Sequence, residues 1–137
     1  MGIYFNTGTK KFCSALQSKI YVDKTGFLEY TNSVIDTEDR YICLSRPRRF
    51  GKSITAAMLA AYYGKSFDSS ALFDGKKIAQ SADYKKYMNK YDIIEVDLNV
   101  FRRRIDPQTN MPVTAAQTIS LFQQEIIQEL RETYPNY

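Results

Sequence analysis

The sequence predicts an α/β chain, a parallel sheet with helices packed on both faces, carrying fewer strands than a finished sheet of that kind needs. Three observations predict it. Tyr41–Leu44 is a short apolar, β-favouring run, and after a tight loop Ile54–Tyr63 is rich in Ala, Leu and Met and stops at Gly64, so the order is strand, loop, helix. Tyr91–Leu98 is a second strand-like run, in which Ile94, Val96 and Leu98 alternate with Ile93, Glu95 and Asp97. Thr114–Leu130 then reads as a long amphipathic helix. Strands that alternate with helices argue for a parallel sheet joined by crossovers.

Taken in order, Asn6–Ser18 predicts a short amphipathic helix with Phe12, Ala15 and Leu16 on its inner face and Thr9 as a cap. Ile20-Tyr21-Val22 is a brief extended run. Asp23 is read as the N-cap of a second helix whose apolar side carries Phe27, Leu28 and either Tyr30 or Thr31. The Asp23-Lys24-Thr25 turn is thus either a cap or a turn beside a bound ligand. Asp36–Asp39 is an acidic surface loop. Cys43, within the first strand, is expected to be a buried free thiol. Lys65–Ser70 is a loop, Ala71–Gly75 a short helical turn, and Tyr84–Lys90 an exposed basic helix. Thr114-Ala-Ala-Gln117 matches a capping box, and Ile119, Phe122, Ile126 and Leu130 form one stripe of the helix that follows. Pro135 ends it.

The chemistry concentrates between the first strand and its helix, at Arg46-Pro47-Arg48-Arg49-Phe50-Gly51-Lys52-Ser53. Gly-Lys-Ser is the ending of a phosphate-binding loop. Gly51 lets backbone N–H groups approach phosphate oxygens without a Cβ in the way. The helix start adds free N–H donors and partial positive charge. Lys52 is placed to reach the β- and γ-phosphates of a nucleotide, and the Ser53 hydroxyl to ligate Mg²⁺. The usual first glycine of such a loop is replaced by Arg46. Arg46, Arg48 and Arg49 suit bidentate bonds to phosphate, to carboxylates of the domain, or to a nucleic-acid backbone. Phe50 is expected to pack under the loop. Asp97, at the end of the second strand, is read either as a metal-side carboxylate or as a cap for the next turn. Arg102-Arg103-Arg104 is a second basic cluster, solvated or in contact with nucleic acid.

Arg46-Pro-Arg-Arg-Phe-Gly-Lys-Ser53, preceded by Tyr21-Val-Asp-Lys-Thr25 and followed by Leu72-Phe-Asp-Gly75, resembles the AAA-ATPase-like domain of predicted bacterial ATPases, a family often joined to a PD-(D/E)xK nuclease-like domain. In that family the loop is typically Arg-Pro-Arg-Arg-Phe-Gly-Lys-[Ser/Thr], so Arg46 follows the family's own variant. The resemblance runs from Gly2 to about Val100. It implies a P-loop NTPase-like three-layer sandwich, ATP and Mg²⁺ as ligands, and ATP hydrolysis in the complete protein. In that family the apolar strand ending in an Asp-Glu pair comes later in the chain.

Bulk numbers narrow the classes. With 137 residues, 44% hydrophobic and 25% charged, one modest domain with a real core is expected and disorder throughout is excluded. The net charge of +4 suits an anionic ligand. The absence of His excludes Ser-His or Cys-His nucleophiles and His-ligated metals, and Cys13 and Cys43 have no metal spacing. No apolar run reaches the roughly 18 residues of a membrane span. The start carries no signal-peptide pattern, so a cytoplasmic location is expected. Residues 1–137 are therefore read as the N-terminal portion of a single ATPase-like domain, an ATP-binding part that turns over no nucleotide by itself, in which oligomers remain open. The other reading is a basic module that holds nucleic acid or an acidic partner.

Overall fold

The computed structural model describes residues 2–136, the side chain of Arg102 excepted. Six helices run along it: α1 Lys10–Leu16, α2 Phe27–Val34, α3 Lys52–Tyr63, α4 Ser70–Phe73, α5 Leu98–Arg102 and α6 Ala115–Thr133, with 3₁₀ turns at Glu38–Arg40 and Lys77–Gln80. The described residues contain no β-strand, which overturns the expected parallel sheet and with it the three-layer P-loop sandwich. What pairs does so as isolated bridges, Phe5 with Ile94, Gly64 with Tyr91 and Ile105 with Pro112. The physical reason lies in partners. β-Favouring residues stabilise a strand only against neighbours on a pleated surface, and Tyr41–Leu44 has none: Tyr41 is 80% exposed, Ile42 and Leu44 are exposed, and so is Cys43, which was expected inside. Ile20 and Val22 are likewise exposed, as are Ile94 and Leu98.

The chain divides into two compact units, Gly8–Ile93 and Met1–Thr7 with Ile94–Tyr137. In the first, α1 packs against α3. Phe12 of α1 stacks on Phe73 of α4 at 5.2 Å between ring centroids, and Tyr62 of α3 meets the same ring edge-on at 5.3 Å. Leu28, Met58 and Ile78 complete this fully buried cluster. The Leu72–Gly75 motif is thereby explained in part: Phe73 fills the core, and Asp74 accepts a hydrogen bond from the Tyr84 hydroxyl at 2.9 Å.

Buried polar groups in this unit are paired, as desolvation demands. Tyr63 donates to the Asn32 side-chain oxygen at 2.7 Å and lies 2.6 Å from the Thr31 hydroxyl. Asn32 donates to the Tyr62 hydroxyl at 2.9 Å, which donates onward to the Tyr84 carbonyl at 2.6 Å. The expected exposed helix over Tyr84–Lys90 is instead a run of turns with Tyr84, Tyr87 and Met88 buried. Its amides serve another element. Asn89 N–H donates to the Tyr62 carbonyl at 2.8 Å, while those of Lys90 and Tyr91 donate to the Tyr63 carbonyl at 3.0 and 2.9 Å. These are carbonyls of the last turn of α3, which have no acceptor role within their own helix.

In the second unit, α6 starts with the expected capping box between Thr114 and Gln117. Glu129 of α6 accepts from the backbone N–H groups of Tyr4 and Phe5, both at 2.9 Å. Phe101 is buried between Tyr4 and Phe122, at 6.0 Å from each ring. Of the stripe read from the sequence, Phe122, Ile126 and Leu130 are half-buried and Ile119 is exposed. Arg104 forms an ion pair with Glu125 rather than standing free in solvent, and Arg103 is exposed; the side chain of Arg102 lies outside the described residues. The Arg104 guanidinium, with help from the Tyr4 hydroxyl, outweighs burial and holds the Glu125 carboxyl below its usual range.

Candidate functional site

The loop from Arg46 to Ser53 turns sharply into α3. Arg49 has φ +68° and Gly51 φ +74°, so two left-handed residues flank Phe50. For Gly51 that conformation is free, whereas for Arg49 it costs about 1–2 kcal/mol. Gly51 is the N-cap of α3, and its carbonyl accepts from the Thr55 N–H at 2.9 Å and the Thr55 hydroxyl at 3.1 Å. The N–H groups of Lys52, Ser53 and Ile54 therefore open the helix without intrahelical acceptors. Twelve residues of helix stand behind them.

Two ammonium groups hold this loop. Lys52 folds back, its Nζ donating to the carbonyls of Arg46 and, at 3.0 Å, Pro47. From the other side, Lys24 Nζ donates to the Phe50 carbonyl at 2.8 Å. A Cβ on Gly51 would lie 2.6 Å from that same Nζ, so a larger residue here would push the flexible end of Lys24 aside, while the φ of +74° is what favours glycine. Phe50 itself is 60% exposed, and so does not pack beneath the loop as its apolar ring suggested.

The Asp23-Lys24-Thr25 turn is not the cap of α2, whose N-cap is Gly26 without a side-chain bond. Asp23 Oδ1 accepts from the Thr25 N–H at 2.9 Å and the Thr25 hydroxyl at 2.7 Å, and its Oδ2 accepts from the Lys77 N–H at 2.9 Å. Thr25, fully buried, accepts from the Ile78 N–H at 3.3 Å. Burial pushes the Asp23 carboxyl up, but the Thr25 hydroxyl and the Lys77 and Thr25 amides prevail and hold it below the ordinary carboxylate value. Sequence reasoning marked this turn as special without finding its task. The task is a contact across 26 residues, which no local pattern displays.

Arg46, Arg48, Arg49, Lys52 and Lys24 carry positive charge into this small region. Among the described residues, no carboxylate forms an ion pair with any of them. Ion pairing within the domain, one of the readings for the three arginines, is thus not what the described residues show. Alongside the loop opens a cleft of about 340 Å³, walled by Ile20, Val22, Ile54 and Met58, with Lys24 and Arg49 among its lining residues. The Ser53 hydroxyl is exposed at the start of α3. The described residues contain no cluster of three His, Cys, Asp or Glu side chains that would hold a metal by themselves. Asp97 belongs to the other unit. There it is the N-cap of α5, accepting from the Asn99 N–H at 2.9 Å and from the Asn99 side-chain amide at 3.1 Å.

A family model described as predicted AAA-ATPase matches residues 7–134. The match thus extends past the point near Val100 where the motif resemblance fades. No curated protein and no solved structure matches the chain.

Proposed function

The chain belongs to the predicted AAA-ATPase family, and from that premise we propose that residues 46–53 bind the triphosphate of ATP at the start of α3. The observation that supports this most is the gathering of Arg46, Arg48, Arg49, Lys52 and Lys24 around a helix N-terminus with no carboxylate partner among the described residues. Uncompensated cations next to unsatisfied N–H groups favour a multiply charged anion. In this reading Lys52 exchanges its carbonyl partners for the β- and γ-phosphates, and the arginines offer further donors. Ser53 supplies its hydroxyl to a Mg²⁺ that accompanies the nucleotide and neutralises charge between phosphates. The apolar cleft beside Gly51 takes the nucleoside, whose flat ring suits aliphatic walls such as Ile20, Val22 and Ile54.

Binding, not turnover, is the activity assigned to these residues. Hydrolysis needs a group that orients the attacking water, and among the described residues no carboxylate is paired with the loop. Calorimetric titration with Mg-ATP tests the reading. Binding by the wild-type chain and its loss in Lys52→Ala are expected. Equal binding by both would refute it. Binding that ignores Mg²⁺ and Lys52, but falls steeply with salt when a nucleic acid is the ligand, would replace it by the basic-module reading.

A further inference from the structure

We propose that Lys24, in the Asp23–Thr25 turn, is a second phosphate-binding ammonium of this site, poised on the loop by that turn; this rests on the triphosphate reading above. Three features of its surroundings lead there. The backbone on either side of Lys24 is pinned: the Asp23 carboxylate is bonded by Thr25 and Lys77, and the Thr25 hydroxyl by Ile78. The side chain it presents reaches the far loop, donating to the Phe50 carbonyl at 2.8 Å, against the face of Gly51. And it lines the cleft beside that loop.

The contact stabilises little by itself. Ordering a long lysine side chain costs about as much conformational entropy as one exposed bond to a carbonyl returns. An ammonium has three donors, and one is used on Phe50. A phosphate oxygen placed against Gly51 would take another, as a charge-assisted bond. Lys52 holds the loop through Arg46 and Pro47, and Lys24 holds it through Phe50, so the two ammoniums grip successive parts of one loop. In the structure both ammoniums donate to carbonyls. With a polyphosphate bound, both turn donors towards it. Lys24 is thus a ligand-binding residue, while Asp23 and Thr25 are positioning residues that act through it.

The experiment titrates inorganic tripolyphosphate and, separately, Mg-ATP into the wild-type chain and into Lys24→Met, Lys24→Gln and Lys24→Arg, with thermal melts of each. The expected result is that Met and Gln weaken tripolyphosphate binding about ten- to hundredfold, while Arg, which keeps the charge, stays within about threefold of wild type. Gln keeps a donor for the loop carbonyl but no charge. If Gln binds as wild type does, Lys24 is a loop latch alone and the proposal is overturned; it is equally overturned if Met and wild type bind alike, or if Arg falls as far as Met. A wild-type chain that binds neither ligand refutes the triphosphate reading itself, and this inference with it.

Discussion

Replacing Asp23 with Ala should unpin the turn that carries Lys24, and the cost can be worked from its bonds. The carboxylate accepts three hydrogen bonds, from the Thr25 N–H at 2.9 Å, the Thr25 hydroxyl at 2.7 Å and the Lys77 N–H at 2.9 Å. Each is charge-assisted but only partly shielded from water, so about 1 kcal/mol apiece, or about 3 kcal/mol together, is the expected loss. Thr25 is fully buried, so its freed polar groups find no solvent to replace the lost acceptor. At this chain length about 3 kcal/mol lowers the melting temperature by roughly 10 °C. The pH dependence adds a second check. The Asp23 carboxyl is held below its ordinary value of 3.8. A group with a depressed native pKa contributes stability that is fully present above the unfolded value and is lost as pH falls through the native one. The gap between wild type and Asp23→Ala is therefore expected at neutral pH and should shrink well below 3.8. Circular dichroism melts across that range measure it. A variant that melts within about 2 °C of wild type at neutral pH, or a gap indifferent to acid, would refute the claim that this carboxylate fastens the turn.

Three further outcomes follow from particular residues. Gly51→Ala places a Cβ on a residue at φ +74° and 2.6 Å from Lys24 Nζ; about 1–2 kcal/mol of backbone strain is expected, with a larger proportional fall in ATP affinity because the lysine is displaced from its perch, read by melting and calorimetry on the same sample. Tyr63→Phe removes the hydroxyl shared by Thr31 and Asn32 and should cost about 1–3 kcal/mol by denaturant unfolding. In the wild type, burial pushes the Tyr63 phenol up to about 12, so ultraviolet titration should find it still protonated when exposed tyrosines have ionised.

Helices α1, α3 and α6 were legible in the sequence because their causes are local. The Thr114–Gln117 capping box, the Ala-rich stretch ending at Gly64 and the Phe12–Leu16 spacing each act within a few residues, and α6, α3 and α1 appear where those signals stand. The sheet was misread because a strand is a statement about neighbours. Ile42, Leu44 and Ile94 have the composition of strand residues, but composition measures fitness for a pleated surface and not the presence of one. Tyr84–Lys90 was misread for the same reason, since its amides are drawn to the open carbonyls of α3 instead of to a helix of their own.

The site divides along the same line. Gly51, Lys52 and Ser53 stood out because a Gly-Lys-Ser ending is written in consecutive residues. The turn that carries Lys24 stood out too, but not the reach of its ammonium, which exists only once Asp23 has been fastened to Lys77 and the side chain has crossed to Phe50. With no ladder of strands to hold Tyr41–Leu44, the loop takes its hold from elsewhere: from the first turn of α3 through Gly51 and Thr55, and from the two lysines. On the triphosphate reading proposed above, ligand binding and loop order are one equilibrium. On that reading an anion that draws Lys52 off the carbonyls of Arg46 and Pro47 must itself hold the stretch released, while Lys24 keeps its bond to Phe50, and an anion too short to meet both ammoniums would release the loop without holding it.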